Sequence, residues 1–145
     1  MIYTSLSKRI LGNVPGVLMS FLRGIIPPLI TPFKRDYSID FEALNWVLDY
    51  VFRGGVHGVF VNSTTGEFVH LSESEMISLA KYVVERYGGK LLVLSTATSN
   101  STDQAIRLGR EMIDVGVRKL VVAPPYYFKI DPGRLEKYYS RIAES

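Results

Sequence analysis

The residues with the clearest capacity for chemistry lie together in the stretch Asn62-Ser63-Thr64-Thr65-Gly66-Glu67, where two adjacent threonine hydroxyls, a serine and a glycine follow an apolar run. A tight turn of this composition supplies backbone N–H groups as fixed donors, and the threonine hydroxyls add more. A carboxylate could be held there without any cationic side chain. Gly66 is expected to permit the turn's backbone conformation, and Glu67 to accept backbone hydrogen bonds near the next helix start. Taken alone, Ser, Thr and Gly are also what an ordinary capped loop contains.

Other polar or unusual residues recur in the same relation to apolar runs: Thr31, then residues 96–100 with Thr96, Thr98 and Asn100, then Tyr126-Tyr127. Paired aromatics at such a place are most simply packing residues. His57 and His70 are isolated in the sequence and read as cap or surface groups rather than acid–base catalysts. With no cysteine and only two histidines, a cysteine-based or histidine-rich metal centre is not expected.

Four short apolar runs without polar alternation, residues 25–30, 58–61, 91–94 and 119–123, read as strands buried on both faces. Between them, apolar residues recur at helical spacing, as in Phe41, Leu44, Val47, Leu48 and Val51. Ser72 with Glu75 and Ser101 with Gln104 form capping-box patterns, and Asp131-Pro132 suits a fourth helix start. Gly54-Gly55, Gly88-Gly89 and Gly116 stand where the first three helices should end. The repeat of about thirty residues is one βα unit, and four units imply parallel strands.

Four units fit either a small doubly wound sheet or half of a (β/α)₈ barrel. No G-x-G-x-x-G follows the first strand, whose end reads Pro28-Leu29-Ile30-Thr31-Pro32-Phe33, so a dinucleotide cradle is not expected. Polar residues gathered after the strands match the catalytic face of a barrel, yet 145 residues fall well short of the about 250 of a complete one. The fold expected is α/β, the N-terminal half of a TIM barrel.

The composition is 47% apolar and 21% charged, that of a globular chain. Seventeen basic and fourteen acidic residues are scattered, which argues against a nucleic-acid partner. Lys8 and Arg9 precede the apolar residues 17–22, but that run is too short to span a membrane, and Asn13, Pro15 and Gly16 interrupt the approach to it. Residues 1–23 read as an extension, with Met19 as an alternative start, and residues 24–145 as the βα units.

The turn, with three further stretches in the same order, resembles the dihydrodipicolinate synthase and N-acetylneuraminate lyase family. The other stretches are Ile30-Thr31-Pro32-Phe33 followed by Ile39-Asp40, Ser99-Asn100-Ser101-Thr102, and Ala123-Pro124-Pro125-Tyr126-Tyr127-Phe128. The resemblance implies a Schiff-base aldolase or lyase acting on pyruvate or a related 2-keto acid and an aldehyde, with no organic cofactor or metal. It implies that Thr65, with Ser63 and Gly66 in the same turn, binds the substrate carboxylate. Thr64 and Tyr127 then serve a proton relay, the tyrosine reaching across a dimer interface. Ser63 and the pair Thr96 and Thr98 depart from family glycines, which suggests a narrower or more polar pocket. Asn62 resembles the 2-keto-3-deoxygluconate aldolase branch, whereas Glu67 resembles the synthase branch.

The family lysine belongs to a sixth strand, and none of the seven lysines here has a suitable place. Lys90 and Lys119 open strands at the far face, Lys34 and Lys129 lie in loops, Lys81 and Lys137 lie on helices, and Lys8 lies in the extension. The expectation is therefore a truncated, cytoplasmic lyase chain without its nucleophile, in a homo-oligomer or joined to a complementary half-barrel. The alternative is a noncatalytic half-barrel that needs such a partner, for which open sheet edges are the motive.

Overall fold

The computed structural model describes residues 22–145. The expected extension and the alternative start at Met19 fall almost wholly outside the described residues. Helix α1, Phe41–Arg53, begins at Asp40, whose carboxylate accepts the N–H groups of Glu42 and Ala43 at 3.1 and 2.9 Å. Strand β1, Gly58–Val61, leads through a single 3₁₀ turn, Phe68–His70, to α2, Glu73–Tyr87. Strand β2, Leu92–Thr96, α3, Thr102–Asp114, β3, Lys119–Val121, and α4, Pro132–Ala143, complete the order.

The three strands are parallel in the order β1-β2-β3, with Gly58 opposite Leu92 and Leu94 opposite Lys119. The run expected as a first strand, residues 25–30, is extended and lies parallel to β1, bridged only at Pro28 and Phe60. Leu29 donates to Phe60 O at 2.9 Å, and Phe60 donates to Pro27 O at 3.0 Å. Residues 27 and 29 therefore face β1, and Pro27 has no N–H to give it, which is why the ladder is broken rather than regular. His57 compensates from below: its Nδ1 accepts the Ile25 N–H at 3.1 Å, and the ring sits where a side chain on Gly24 would have to be.

Each helix touches the next one in sequence. Tyr82 of α2 donates to Phe41 O at 3.1 Å, and Arg86 to Asn45 at 3.2 Å. Glu73 of α2 takes two bonds from Arg107 of α3, at 2.9 and 3.0 Å, and Asp103 of α3 accepts from Arg141 of α4 at 2.7 Å. Sequential strands joined by helices in one contiguous layer are the geometry of a barrel wall; a doubly wound sheet would put helices on both faces. The architecture is that of the N-terminal four βα units of a (β/α)₈ barrel.

The core fills the space between this layer and the sheet. Val59, Val61 and Val93 alternate toward the helices and meet Leu44, Leu48, Leu79, Val83 and Met112, all essentially buried. Each such side chain contributes about 1.5–3 kcal/mol of transfer free energy on burial. Gly109 brings α3 close to the sheet, since a Cβ there would stand 3.2 Å from Leu120 Cδ1.

The expected caps were realised unevenly. The Ser72–Glu75 capping box forms in both directions. At Ser101 only half forms: its hydroxyl accepts the Gln104 N–H at 3.4 Å, while the Gln104 side chain turns to Ser99 and Glu73. Gly55 and Gly116 take left-handed angles after their helices, but Gly88 does not, and its lack of a side chain instead spares a clash with Val84 O.

Candidate functional site at the ends of the strands

The turn after β1 is built from a buried base and an exposed rim. Asn62 and Ser63 are buried, Gly66 is buried, and Thr64 and Thr65 between them are exposed. Asn62 has a left-handed backbone, φ 54°, and its amide donates to Met76 O in α2 and to Ser95 Oγ in β2, both at 2.9 Å. At the other end, Ser63 Oγ accepts the Gly66 N–H at 3.1 Å, and Thr31 donates its hydroxyl to Gly66 O at 2.7 Å.

Gly66 is needed for a different reason from the one its sequence suggests. Its φ is not positive; a Cβ there would come 2.8 Å from Leu29 O and 3.3 Å from Thr31 Oγ1. The glycine lets the turn dock on the end of residues 25–30. Glu67 also departs from expectation: it is left-handed, φ 58°, and its side chain caps no helix but meets His70 Nδ1 at 3.1 Å on the surface.

Within the turn, the Gly66 N–H goes to Ser63 Oγ, Glu67 N–H to Thr64 O at 3.1 Å and Phe68 N–H to Ser63 O at 3.3 Å. Among the described residues, the N–H groups and hydroxyls of Thr64 and Thr65 have no partner. Two consecutive residues thus present up to four open donors. Such a cluster can bind a carboxylate through hydrogen bonds alone.

The neighbouring loops are tied to this turn. Tyr126 packs edge-on against Phe68, with ring centroids 6.2 Å apart, and its N–H donates to Asn100 Oδ1 at 2.7 Å. Tyr138 of α4 donates to Ser99 O at 2.9 Å. Thr96 and Thr98 are both buried, their hydroxyls lie 2.6 Å apart, and they meet Val121 O and the Ala123 N–H at 3.1 and 2.8 Å; Thr98 also lines a small cavity beside Tyr126. They hold the end of β3 beside β2.

Tyr127 projects outward, 89% exposed, from a left-handed backbone with φ 81°, and stacks edge-to-face on Phe128 at 4.7 Å. No hydrogen bond among the described residues joins it to Thr64 or Thr65. A cavity of about 180 Å³ beside Phe68, Met76, Asn100, Gln104 and Tyr126 is lined by none of these three. The site is therefore an open ledge at the strand ends.

Lys34 and Lys129 lie in strand-to-helix connections on the ledge side of the sheet, whereas the other described lysines stand apart from it. Lys119 opens β3 and Lys90 precedes β2, both at the opposite end of the sheet, where Lys90 lies over the Phe52 ring at 5.5 Å. Lys81 pairs with Glu85 on α2, and Lys137 lies on α4. Among the described residues no group of three His, Cys, Asp or Glu side chains converges on a point that could hold a metal, and no helix is long and apolar enough to cross a membrane.

Sequence signals for Thr31, Asn62 and His57 were present but incomplete. Each was visible as a residue near a strand end, yet its partner lies 14 to 35 residues away. Local patterns do not reveal such pairings.

Comparison with known proteins agrees with this geometry. The model of the dihydrodipicolinate synthetase family matches residues 21–145. A DapA-like lyase of Thermofilum pendens is 48% identical over 121 residues, 83% of this chain and 40% of the relative. A crystallised dihydrodipicolinate synthase superposes with a TM-score of 0.81 at 34% identity, over 85% of this chain and 42% of that one. The Escherichia coli K12 prophage protein YagE, crystallised in complex with pyruvate, gives 0.82 at 27% identity, over 86% and 42%. The chain spans about two-fifths of the length of these relatives. With strand order, strand-end turn and sequence all in agreement, the chain belongs to the dihydrodipicolinate synthetase family.

Proposed function

We propose that this chain carries the carboxylate-binding and proton-relay part of a pyruvate-dependent aldolase or lyase that works through a Schiff base. The observation that carries the reading is the pair Thr64 and Thr65, whose open donors crown a turn fixed from below by Asn62, Ser63 and Thr31. Thr65 binds the carboxylate of pyruvate or a related 2-keto acid. The Thr64 hydroxyl, which can both donate and accept, passes a proton during imine formation. Tyr127, held outward, continues the relay with a neighbouring subunit. Ser63 and Gly66 hold the turn's shape.

The covalent step needs an amine. A neutral lysine attacks the ketone carbon, water leaves, and the resulting iminium lets the adjacent carbon add to or separate from an aldehyde. This electron sink replaces a metal or organic cofactor. Lys90 and Lys119 lie at the opposite end of the sheet, Lys81 and Lys137 lie on helices, and Lys34 and Lys129 read as solvated loop residues. The amine in this reading is therefore supplied by another part of the enzyme, which acts as an oligomer in the cytoplasm. Support comes from YagE, whose crystal holds pyruvate.

Borohydride reduction with labelled pyruvate tests the reading. The chain alone gives no adduct; mixed with a chain supplying the other four βα units, it gives an adduct on that second chain, lowered at least tenfold by Thr65→Val. A stable adduct on Lys129 or another lysine of this chain would overturn it.

A second reading, a noncatalytic half-barrel that assembles with a partner, is favoured by the sheet's open sides. Residues 26, 28 and 30 face away from β1, and beside them Ile30, Trp46 and Tyr50 are exposed. A compact, stable monomer at high micromolar concentration in sedimentation velocity would exclude it.

A further inference from the structure

We propose that Asn62 is a positioning residue for the carboxylate turn, its buried amide fixing the direction in which residues 63–66 leave β1. The proposal rests on the reading of Thr64 and Thr65 as carboxylate donors.

Three observations carry it. First, Asn62 is left-handed at φ 54°, where glycine would be the unconstrained choice and asparagine is among the few side chains tolerated. Second, its side chain is fully buried, and Nδ2 reaches Met76 O and Ser95 Oγ at 2.9 Å each, so the residue is referenced to both the following helix and the adjacent strand. Third, Asn62 Oδ1 has no hydrogen-bond partner. The amide is held only through its donors. Rotated by 180°, it would press Oδ1 against the Met76 carbonyl, two acceptors in contact, so one orientation survives.

The opposite end of the turn is fixed by Thr31 and Ser63 at Gly66. Thr64 and Thr65 thus lie on a short span anchored at both ends. A glycine at position 62 would keep the left-handed backbone accessible but release one anchor. An aspartate would keep the shape but remove both donors while ionised, and regain one on protonation.

This predicts an unusual pH signature for Asn62→Asp. Pyruvate remains ionised between pH 5 and 8, so a change in affinity over that range beyond that of the unsubstituted chain, whose turn also carries the Glu67–His70 pair, reports on position 62. In NMR titrations of the 145-residue chain with pyruvate, the unsubstituted chain is expected to change less than about twofold over the range. Asn62→Asp should bind roughly tenfold more weakly at pH 8 and recover most of the loss at pH 5. Asn62→Gly should be weakened at both. A purely structural role would lower the unfolding temperature without moving the affinity of the folded fraction.

Equal affinity of Asn62→Asp and the unsubstituted chain at pH 8 would overturn the proposal. Should Asn62→Asp not fold at pH 8, full-strength binding by Asn62→Gly would do so instead. No pyruvate binding by the unsubstituted chain would overturn the carboxylate reading itself.

Discussion

Thr65 and Gly66 are adjacent, yet substitutions there should fail in different ways. Thr65→Val removes a hydroxyl from an exposed position, so pyruvate affinity in an NMR titration should fall with the unfolding temperature nearly unchanged. Gly66→Ala forces a methyl to 2.8 Å from Leu29 O, a backbone atom that cannot move aside, and should destabilise by about 1–3 kcal/mol in urea titration. The composition of this turn was legible in the sequence because Ser, Thr and Gly are required locally. The reason for its glycine was not, because the crowding comes from a segment 35 residues earlier. Glu67 shows the same limit: nothing in its neighbours foretold a left-handed residue paired to His70.

At the scale of elements, helix periodicity and strand runs were readable because each helix packs one apolar stripe and β1 and β2 are largely buried, while β3 is only half-buried. Strand β1 has the bounds its apolar run implies, and β2 and β3 differ by a residue or two at their ends. Residues 25–30 are the exception: of that run only Leu29 is buried, while Ile25 and Ile30 are exposed, and Pro27 breaks the ladder. Asp40→Ala should cost about 1 kcal/mol by removing the α1 cap, and Leu48→Ala about 2–5 kcal/mol by opening the core, both measurable by thermal or urea unfolding. The packing of α1 on α2 also has a pH signature. Burial, then the hydrogen bond to Asp49 and its charge, push the Tyr87 phenol up from 10.0 to about 12. The folded chain favours the neutral phenol, so this contribution is complete below pH 10 and is lost as the pH rises toward 12. Tyr87→Phe should flatten the alkaline limb of the stability curve above pH 10.

The whole molecule follows from strand order. Four units in sequence, each hydrogen-bonded to the one before, predict slow amide exchange in β2, which is paired on both sides, and faster exchange in β3 and residues 25–30. Hydrogen-exchange mass spectrometry reads that gradient directly; uniform protection across the sheet would contradict it. The general class was legible from the spacing of units, whereas the barrel's curvature depends on helices meeting along one face, a relation between segments that no single segment encodes.

The sequential order also bears on how such a wall can be made. Because every strand finds its partner in the unit just completed, no step waits for a distant segment, and growth can proceed unit by unit as the chain emerges during synthesis. Each addition hides one edge and presents a new one of the same kind, so the nascent wall keeps a ready template for the next parallel strand.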